Sequence, residues 1–543
     1  MKYNKFNKIK IENRRWPDSE ITKAPIWCSV DLRDGNQSLI KPMSLDKKVR
    51  FFKLLVEMGF KEIEIGFPSA SEVEFEFTRY LIENDLIPDD VSIQILTQAR
   101  EHLIQRSAEA LRGAKNVIVH LYNSTSTMQR EIVFGKSQDE IISMALEGVK
   151  WVKKHFASFD GNVRFEYSPE SFTQTELEFS AQICNQVVDE WNPQNGEKVI
   201  LNLPSTVEAA TPNIYADQIE WICRNIKRRD EVLISVHAHN DRGCAVASTE
   251  LALMAGADRV EGTLLGNGER TGNVDIVTVG LNMYTQGVDP KLDFSDVDKI
   301  VKTVESANEI ATHVRHPYVG ELVYTAFSGS HQDAIKKGMA KQKEGALWYV
   351  PYLPIDPKDV GRNYDAIIRI NSQSGKGGVA YILNTQYGYK IPKRMEPYIG
   401  KVIQEQSDKI DGVMSERMIK EYFEKVFVNR QDKISVENLH IDISDRVVTL
   451  SGDFRVEDNH FFESITASGI IEAISEIYTK HGVEFEVVEY FEHAKTIGAD
   501  SKAVAYFGVK MDGRVIYAVG EAVNISYASV NALISALNIG MVR

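Results

Sequence analysis

Four cysteines in 543 residues are few, and Cys28, Cys184, Cys223 and Cys244 form no C-x-x-C pair. A disulfide frame and a cysteine-held zinc site are therefore excluded, and reduced thiols in the cytoplasm are expected. No stretch reaches about 18 uninterrupted apolar residues, so no membrane-spanning helix is expected. Excess positive charge is missing as well. The formal net charge is −14, which argues against a general nucleic-acid partner. It leaves room for a local basic pocket facing an anionic substrate. The opening MKYNKFNKIKIENRRW is basic but lacks an apolar core. That speaks against a secretory signal and for a surface-lying arm over residues 1–25. A dinucleotide fingerprint is also absent: GNGERTG (266–272) has its third glycine one place late for G-x-G-x-x-G.

What the chain does contain is ordinary globular composition, 43% hydrophobic and 26% charged, laid out as a repeating alternation. Strand-like runs read IWCSVDL (26–32), KEIEIGFP (61–68), VSIQILTQ (91–98), NVIVHLYNS (116–124), VRFEYSPES (163–171), KVILNLPS (198–205), VLISVHAHN (232–240) and RVEGTLLGNG (259–268). A helical period follows each. The first is SLDKKVRFFKLLVEMG, with Ser44 as N-cap, Val49, Phe52, Leu55 and Val56 on one face, and Gly59 as the stop. Eight β/α units in about 260 residues match the count and size of a (β/α)8 TIM barrel. An open doubly wound sheet is the competing architecture, disfavoured by the count and by the missing fingerprint.

The expected fold class is thus α/β: a barrel over 26–290, a mainly helical linker over 291–432, and an α+β domain over 433–543. In that last part, VENLHIDI, VVTLSGDF, FEVVEYFEHA, KAVAYFGVKM and VIYAVGEAV read as short strands. Two helices are read at FESITASGIIEAISEIYTKHG and SYASVNALISALNIG, which makes an internal pseudo-repeat.

A barrel carries its chemistry at the C-terminal ends of its strands. Polar residues gather there. Asp34 follows the first strand, Gln98 ends the third and His120 lies in the fourth. Ser168 and Glu170 close the fifth, Thr206 follows the sixth, His237 and His239 end the seventh, and Asn273 lies beyond the eighth. VHAHND places two of only 12 histidines one residue apart. In a strand, residues i and i+2 share a face, so His237 and His239 project together. With Asp34 they form a nitrogen and oxygen set suited to Zn, Mn, Fe or, less naturally, Mg, with open positions for catalysis. The alternative is two ordinary histidines bonded to backbone or water; the strand-end position favours the metal. In VDLRDGNQ (30–37), Arg33 adjoins Asp34, where a plain Asp-Gly turn is the alternative. A divalent ion beside that guanidinium would bind an α-keto acid and stabilise developing alkoxide charge. GNGERTGN reads first as a glycine-rich loop with Glu269 and Arg270 ion-paired. SGKGG (374–378) reads as a flexible loop, with Lys376 near an anion as the weaker option.

In order along the chain, DLRDGNQ, GFPSAS, HAHNDRG, GNGERTGN, AFSGSHQDAI and PYLPIDPKDVGR resemble the α-isopropylmalate synthase family. The resemblance runs from about Trp16 to the C-terminus. That family lies in a wider group of barrel enzymes sharing the RDG and HxH signatures, with homocitrate synthase, citramalate synthase and hydroxymethylglutaryl-CoA lyase. The resemblance implies an acyltransferase that runs a Claisen-type condensation. Acetyl-CoA, 3-methyl-2-oxobutanoate and water give 2-isopropylmalate and CoA, the first committed step toward leucine. It implies a divalent metal (Mg, Mn or Zn), with a monovalent cation as a candidate activator.

By the same resemblance, Asp34, His237 and His239 are metal ligands, with Asn273 nearby or as a fourth. Arg33 polarises the keto oxygen. His120, Ser168 and Thr206 line the keto-acid site, and Leu96 forms an apolar wall. Glu170 lies near the thioester and orients acid–base groups or water. His331 and Tyr352 match residues of the proton transfers, reaching the partner's barrel mouth in a homodimer with composite sites. The C-terminal domain is implied to bind leucine as an allosteric inhibitor. Three alternatives stand beside this reading: a different 2-oxo acid such as 2-oxoglutarate or pyruvate, a lyase running the reverse cleavage, and a metabolite sensor without turnover.

Overall fold

The structure, a computed structural model, describes residues 2, 6, 8–326, 328–362, 376–407, 414, 416–444, 447–495 and 501–541. The chain divides into two compact units, Met1–Val323 with Pro357–Arg362, and Tyr324–Asp356 with Asn363–Arg543. Among the described residues no helix is long and apolar enough to cross a membrane.

Eight parallel strands in sequential order close the first unit into the expected barrel. They are β1 (Ile26–Ser29), β2 (Glu62–Gly66), β3 (Ser92–Gln98), β4 (Asn116–Ser124), β5 (Asn162–Glu170), β6 (Val199–Ser205), β7 (Val232–Ala238) and β8 (Arg259–Gly262). Closure is made by β8 against β1, with Gly262 opposite Ser29. Several strands stop short of their apolar runs, because the chain turns where the ladder ends. After β1, residues Asp31–Gly35 wind into a wide helical turn, in which the Gly35 N–H donates to the Val30 carbonyl. The helix Leu45–Met58 starts and stops as expected: the Ser44 side chain accepts from the Lys47 N–H, and Gly59 ends it at φ 100. Its buried face is Phe51, Phe52, Leu55 and Met58, while Val49 and Val56 are half-buried.

The barrel interior departs from the usual filling of branched aliphatic side chains. Glu62, Glu64, Gln94, Glu166, Asn202, Arg259 and Glu261 are all buried. Arg259 is fully buried on β8. Its Nε donates to Glu62 at 2.6 Å, Nη1 to Glu261 at 2.9 Å and to Ser235 at 2.8 Å, and Nη2 to Gln94 at 2.7 Å. A desolvated guanidinium is tolerable only with such partners.

In the second unit the helices Gly329–Lys341, Lys376–Tyr387, Glu396–Ser407 and Glu416–Phe427 come first. Residues 374 and 375 of SGKGG lie outside the described residues, and from Lys376 the chain is helical and not a loop. Two antiparallel three-stranded sheets follow. β9 (Ile434–Ser444), β10 (Val447–Val456) and β11 (Asn459–Ala467) precede the helix Ile470–Lys480. β12 (Glu486–Ala494), β13 (Ala503–Met511) and β14 (Arg514–Ala522) precede the helix Ile525–Met541. The pseudo-repeat is therefore three strands and a helix, twice.

This corrects one expectation: residues 462–467, FESITA, are strand and not the start of a helix. Phe461, Ile465 and Ala467 pack on the core, while Phe462, Ser464 and Thr466 are exposed. That period of two belongs to a sheet, and the helical period begins only after Gly469.

Candidate active site

Nine residues singled out from the sequence line one cavity of about 360 Å³: Arg33, Asp34, Leu96, His120, Ser168, Glu170, Thr206, His237 and His239. Strand register brings them together. Leu96 pairs with His120 across β3 and β4, and Ser168 lies opposite Tyr122 across β4 and β5. His237 is the penultimate residue of β7, and His239 lies just beyond its end, bridged to Asn273. Asn273 is buried beside them, with Oδ1 3.0 Å from His237 Nε2.

Asp34 Oδ2 is 3.2 Å from His237 Nε2 and 3.5 Å from His239 Nε2. Two donors about 2.1 Å from one ion and at right angles to each other are about 3 Å apart. The three side chains therefore fit one shared divalent metal ion, with Asn273 in reach as a fourth donor. Charge agrees with geometry. Burial favours the neutral form of Asp34, but Arg33 and then the two histidines outweigh it and hold the carboxyl well below the usual range. Burial also disfavours a charged His237, yet Asp34 and Glu261 lift it to about 9. Burial and the neighbouring His237 push His239 down to about 3. Asp34 is thus held as a carboxylate and His239 as a neutral imidazole, the forms in which each can donate to a cation, while His237 gives up a proton when it does so.

Arg33 is held from below. Its Nε donates to Glu64 at 2.5 Å, and Nη1 is 3.3 Å from Asp34 Oδ1. Glu64 also meets His120 Nδ1 at 3.0 Å, which turns His120 Nε2 to Ser168 Oγ at 2.7 Å. Asn202 Nδ2 donates to the same Ser168 oxygen at 3.1 Å. Glu170 accepts from the Ser124 hydroxyl, and Thr206 Oγ1 accepts from the Ser171 N–H at 2.9 Å.

The expected Glu269–Arg270 pair is not what holds the glycine-rich loop. Arg270 pairs with Asp241 at 2.7 Å and reaches the Thr206 carbonyl, while Glu269 lines the cavity. Arg270 has a left-handed backbone, φ 56, and its side chain finds its partner across the mouth. The loop closes on Gly272, at φ 96, where a Cβ would meet the Gly266 carbonyl oxygen at 2.0 Å. Gly272→Ala combines that collision with backbone strain of about 1–3 kcal/mol. It is expected to lower the thermal midpoint and to weaken metal binding about tenfold or more by displacing Asn273, as checked by scanning and titration calorimetry.

The remaining two, His331 and Tyr352, belong to the second unit. Their rings stack with centroids 4.0 Å apart at 24°, and both side chains are exposed. Tyr352 sits at φ 65, an uncommon backbone for a tyrosine and of the kind that clusters at functional sites.

Sequence reasoning missed Tyr122 and Asn202 in the cavity and Glu64, Gln94 and Glu261 beneath it. For Glu64 and Glu261 the available signal was charge at alternate positions of otherwise apolar strands, in EIEIG and RVEG. A second buried group, His120 with Glu166 and Glu261, could also hold a cation, but Arg259 already supplies that charge. Burial pushes Glu166 well above the carboxylate range, and Arg259 only partly offsets it.

A closed barrel whose mouth brings together two histidines and an aspartate, donors that could hold a cation, defines a barrel enzyme of the metal-dependent kind, and residues 24–304 match the family model described as HMGL-like. Residues 321–384 match an alpha-isopropylmalate synthase post-catalytic domain-like model, and 413–541 match the LeuA allosteric (dimerisation) domain. The chain belongs to the 2-isopropylmalate synthase family. It is 52% identical to 2-isopropylmalate synthase of Clostridium acetobutylicum, covering 99% of this chain and 98% of that one. It is likewise 52% identical to the enzyme of Pseudomonas putida, covering 99% and 96%. A solved structure of hydroxymethylglutaryl-CoA lyase from Pseudomonas aeruginosa is also similar, at 17% identity and TM-score 0.44, covering 54% of this chain and 95% of that one.

Proposed function

We propose that the chain condenses acetyl-CoA with 3-methyl-2-oxobutanoate and water to give 2-isopropylmalate and CoA. The observation that carries this reading is the meeting of Asp34, His237, His239 and Arg33 in one cavity that also has an apolar wall at Leu96. A divalent ion (Mg, Mn or Zn) held by Asp34, His237 and His239, with Asn273, supplies Lewis-acid polarisation of the keto acid when bound. Arg33 donates to the keto oxygen as it gains negative charge, and its anchor on Glu64 fixes the guanidinium beforehand. His120, Ser168 and Thr206 hold the polar end of the keto acid. Leu96 takes the branched chain, and Glu170 orients water or an acid–base group beside the thioester.

A methyl proton next to a thioester is too weakly acidic for a lone imidazole of ordinary pKa, about 6.5. Its removal needs a closed, water-poor site. His331 and Tyr352, stacked on each other, serve that proton transfer at the barrel mouth of the partner in a homodimer. The match of 413–541 to a dimerisation domain supports that assembly. The carbanion equivalent of acetyl-CoA then bonds to the keto carbon, and hydrolysis of the thioester releases CoA. In this reading residues 1–25 are an arm, 26–290 the catalytic barrel, 291–432 the linker and 433–543 the regulatory domain. A monovalent cation is a further candidate activator.

A panel of 2-oxo acids with acetyl-CoA, read by thiol release, tests the assignment. 3-Methyl-2-oxobutanoate is expected to exceed pyruvate and 2-oxoglutarate in kcat/KM by about 10- to 200-fold. Chelation should abolish turnover and metal add-back restore it. Equal rates with 2-oxoglutarate, net cleavage of the product, or bound metal without turnover would each select one of the three alternatives.

Leucine is the proposed inhibitor. A largely apolar groove of about 670 Å³ in the pseudo-repeat is lined by Ile470, Ile471, Phe485, Val487, Tyr490 and Ser529. Gly469 and Ile525, at the starts of both helices, also line it, as do Glu472 and Glu492, which suits an amino acid with its ammonium beside the carboxylates and its side chain among aliphatic walls. Ile471→Asp is expected to leave uninhibited turnover intact and to raise the leucine concentration for half-inhibition at least about tenfold, since it sets a charge, which the ligand would desolvate, against the aliphatic side chain. Unchanged inhibition counts against the groove.

A further inference from the structure

The two histidines at the barrel mouth are not equivalent. His239 Nδ1 is buried without a hydrogen-bond partner among the described residues. His237 Nδ1 instead faces Glu261 Oε2 at 2.8 Å. The β7–β8 register sets this contact, because His237 and Glu261 are paired neighbours. Glu261 is fully buried, and four donors surround it. Oε2 accepts from His237 and from Asn202 Nδ2 at 3.1 Å; Oε1 accepts from Gln94 Nε2 at 2.8 Å and from Arg259 Nη1 at 2.9 Å. Arg259, Gln94 and Asn202 present only N–H groups to it, and a guanidinium does not deprotonate. The carboxylate therefore stays an acceptor at both oxygens.

We propose that Glu261 is a positioning residue, whose carboxylate holds His237 in the tautomer and orientation that present Nε2 to Asp34, His239 and Asn273. The assignment rests on the reading of those side chains as a cation seat. With the ring proton fixed on Nδ1, the Nε2 lone pair faces the point between the other donors, and no ring flip is needed on binding. Carboxylates placed behind ligating imidazoles commonly change metal affinity by 10- to 100-fold.

Glu261→Gln keeps the volume and reverses one polarity. Gln94 and Arg259 both donate to the Oε1 position, so the amide oxygen belongs there. The amide NH2 then occupies the Oε2 position and points at His237 Nδ1. That arrangement forces the proton to Nε2, where it blocks the ligand lone pair.

Full-length, metal-free protein titrated with Mn2+ tests this by calorimetry, beside 15N spectra of labelled histidine taken at a pH high enough for the His237 ring to be neutral and assigned through His237→Gln. The expected result is Mn2+ affinity weakened about 10- to 100-fold in Glu261→Gln, with the His237 proton moved to Nε2. A merely structural role would not move that proton. Folded Glu261→Gln with wild-type affinity, or with the proton still on Nδ1, overturns the assignment. Should Glu261→Gln fail to fold, the Zn2+-loaded wild type decides: a proton on His237 Nδ1 supports the assignment, and metal on Nδ1 overturns it. Wild type that binds no Mn2+ removes the cation seat and this assignment with it, whereas equal binding by wild type and variant removes this assignment alone.

Discussion

Asp34→Asn is expected to reduce condensation by about three orders of magnitude or more, about 4 kcal/mol of barrier, and to leave the purified protein without stoichiometric metal. Asp34 supplies the one carboxylate that meets both histidines, at 3.2 and 3.5 Å. Asparagine keeps the volume and can still accept from Gln37 Nε2, now 3.1 Å from Oδ1, so the turn around it should survive. What it loses is the negative charge that Arg33, His237 and His239 share. Two imidazoles and an amide hold a hard dication far less well than a set containing a carboxylate. Metal content by mass spectrometry and initial rates by thiol release measure both effects. Full metal occupancy with turnover within tenfold of wild type would remove the cation seat from the reading.

Arg33→Lys is the second large effect: kcat lower by about 100- to 1,000-fold, with KM for the keto acid changed only a few-fold. The guanidinium spends Nε on Glu64 and sets Nη1 beside Asp34, so a rigid fork is fixed at two points before substrate arrives. A lysine has one compact ammonium on a flexible stem and cannot hold Glu64 and an oxyanion in that geometry together. An interaction realised only as charge develops lowers kcat when it is lost. Metal content should be retained, which separates this variant from Asp34→Asn. A rise in KM with unchanged kcat would reassign Arg33 to ground-state binding.

Much of the barrel was legible because parallel strands are short, apolar and separated by amphipathic helices. Eight such units leave little choice of architecture, and the strand ends then point to the mouth. His237 and His239 were readable from strand parity alone, and Asp34 from its place after the first strand. His331 and Tyr352 carry no such signal. They stand in a polar loop and a proline-rich turn, and only resemblance to a family singled them out. Glu64 and Glu261 were hidden differently. A glutamate inside EIEIG or RVEG reads as an exposed strand face, yet in a closed barrel alternate residues face the interior. β11 was misassigned because FESITA abuts a true helix without a proline or a long turn between them.

The fully buried Arg259 bears on how the barrel folds. Its hydrogen bonds and ion pairs reach side chains from β2, β3, β5 and β7, and Glu261 on its own strand. A chain stopped after five strands leaves Glu62 to Arg164 alone, and Gln94 and Glu166 without the guanidinium they share. Half-built intermediates thus carry unpartnered polar groups in a drying interior, and the last strand to dock is the one that satisfies them. Assembly of this barrel is accordingly weighted toward a single concerted closure, and separately expressed halves should associate before either becomes native.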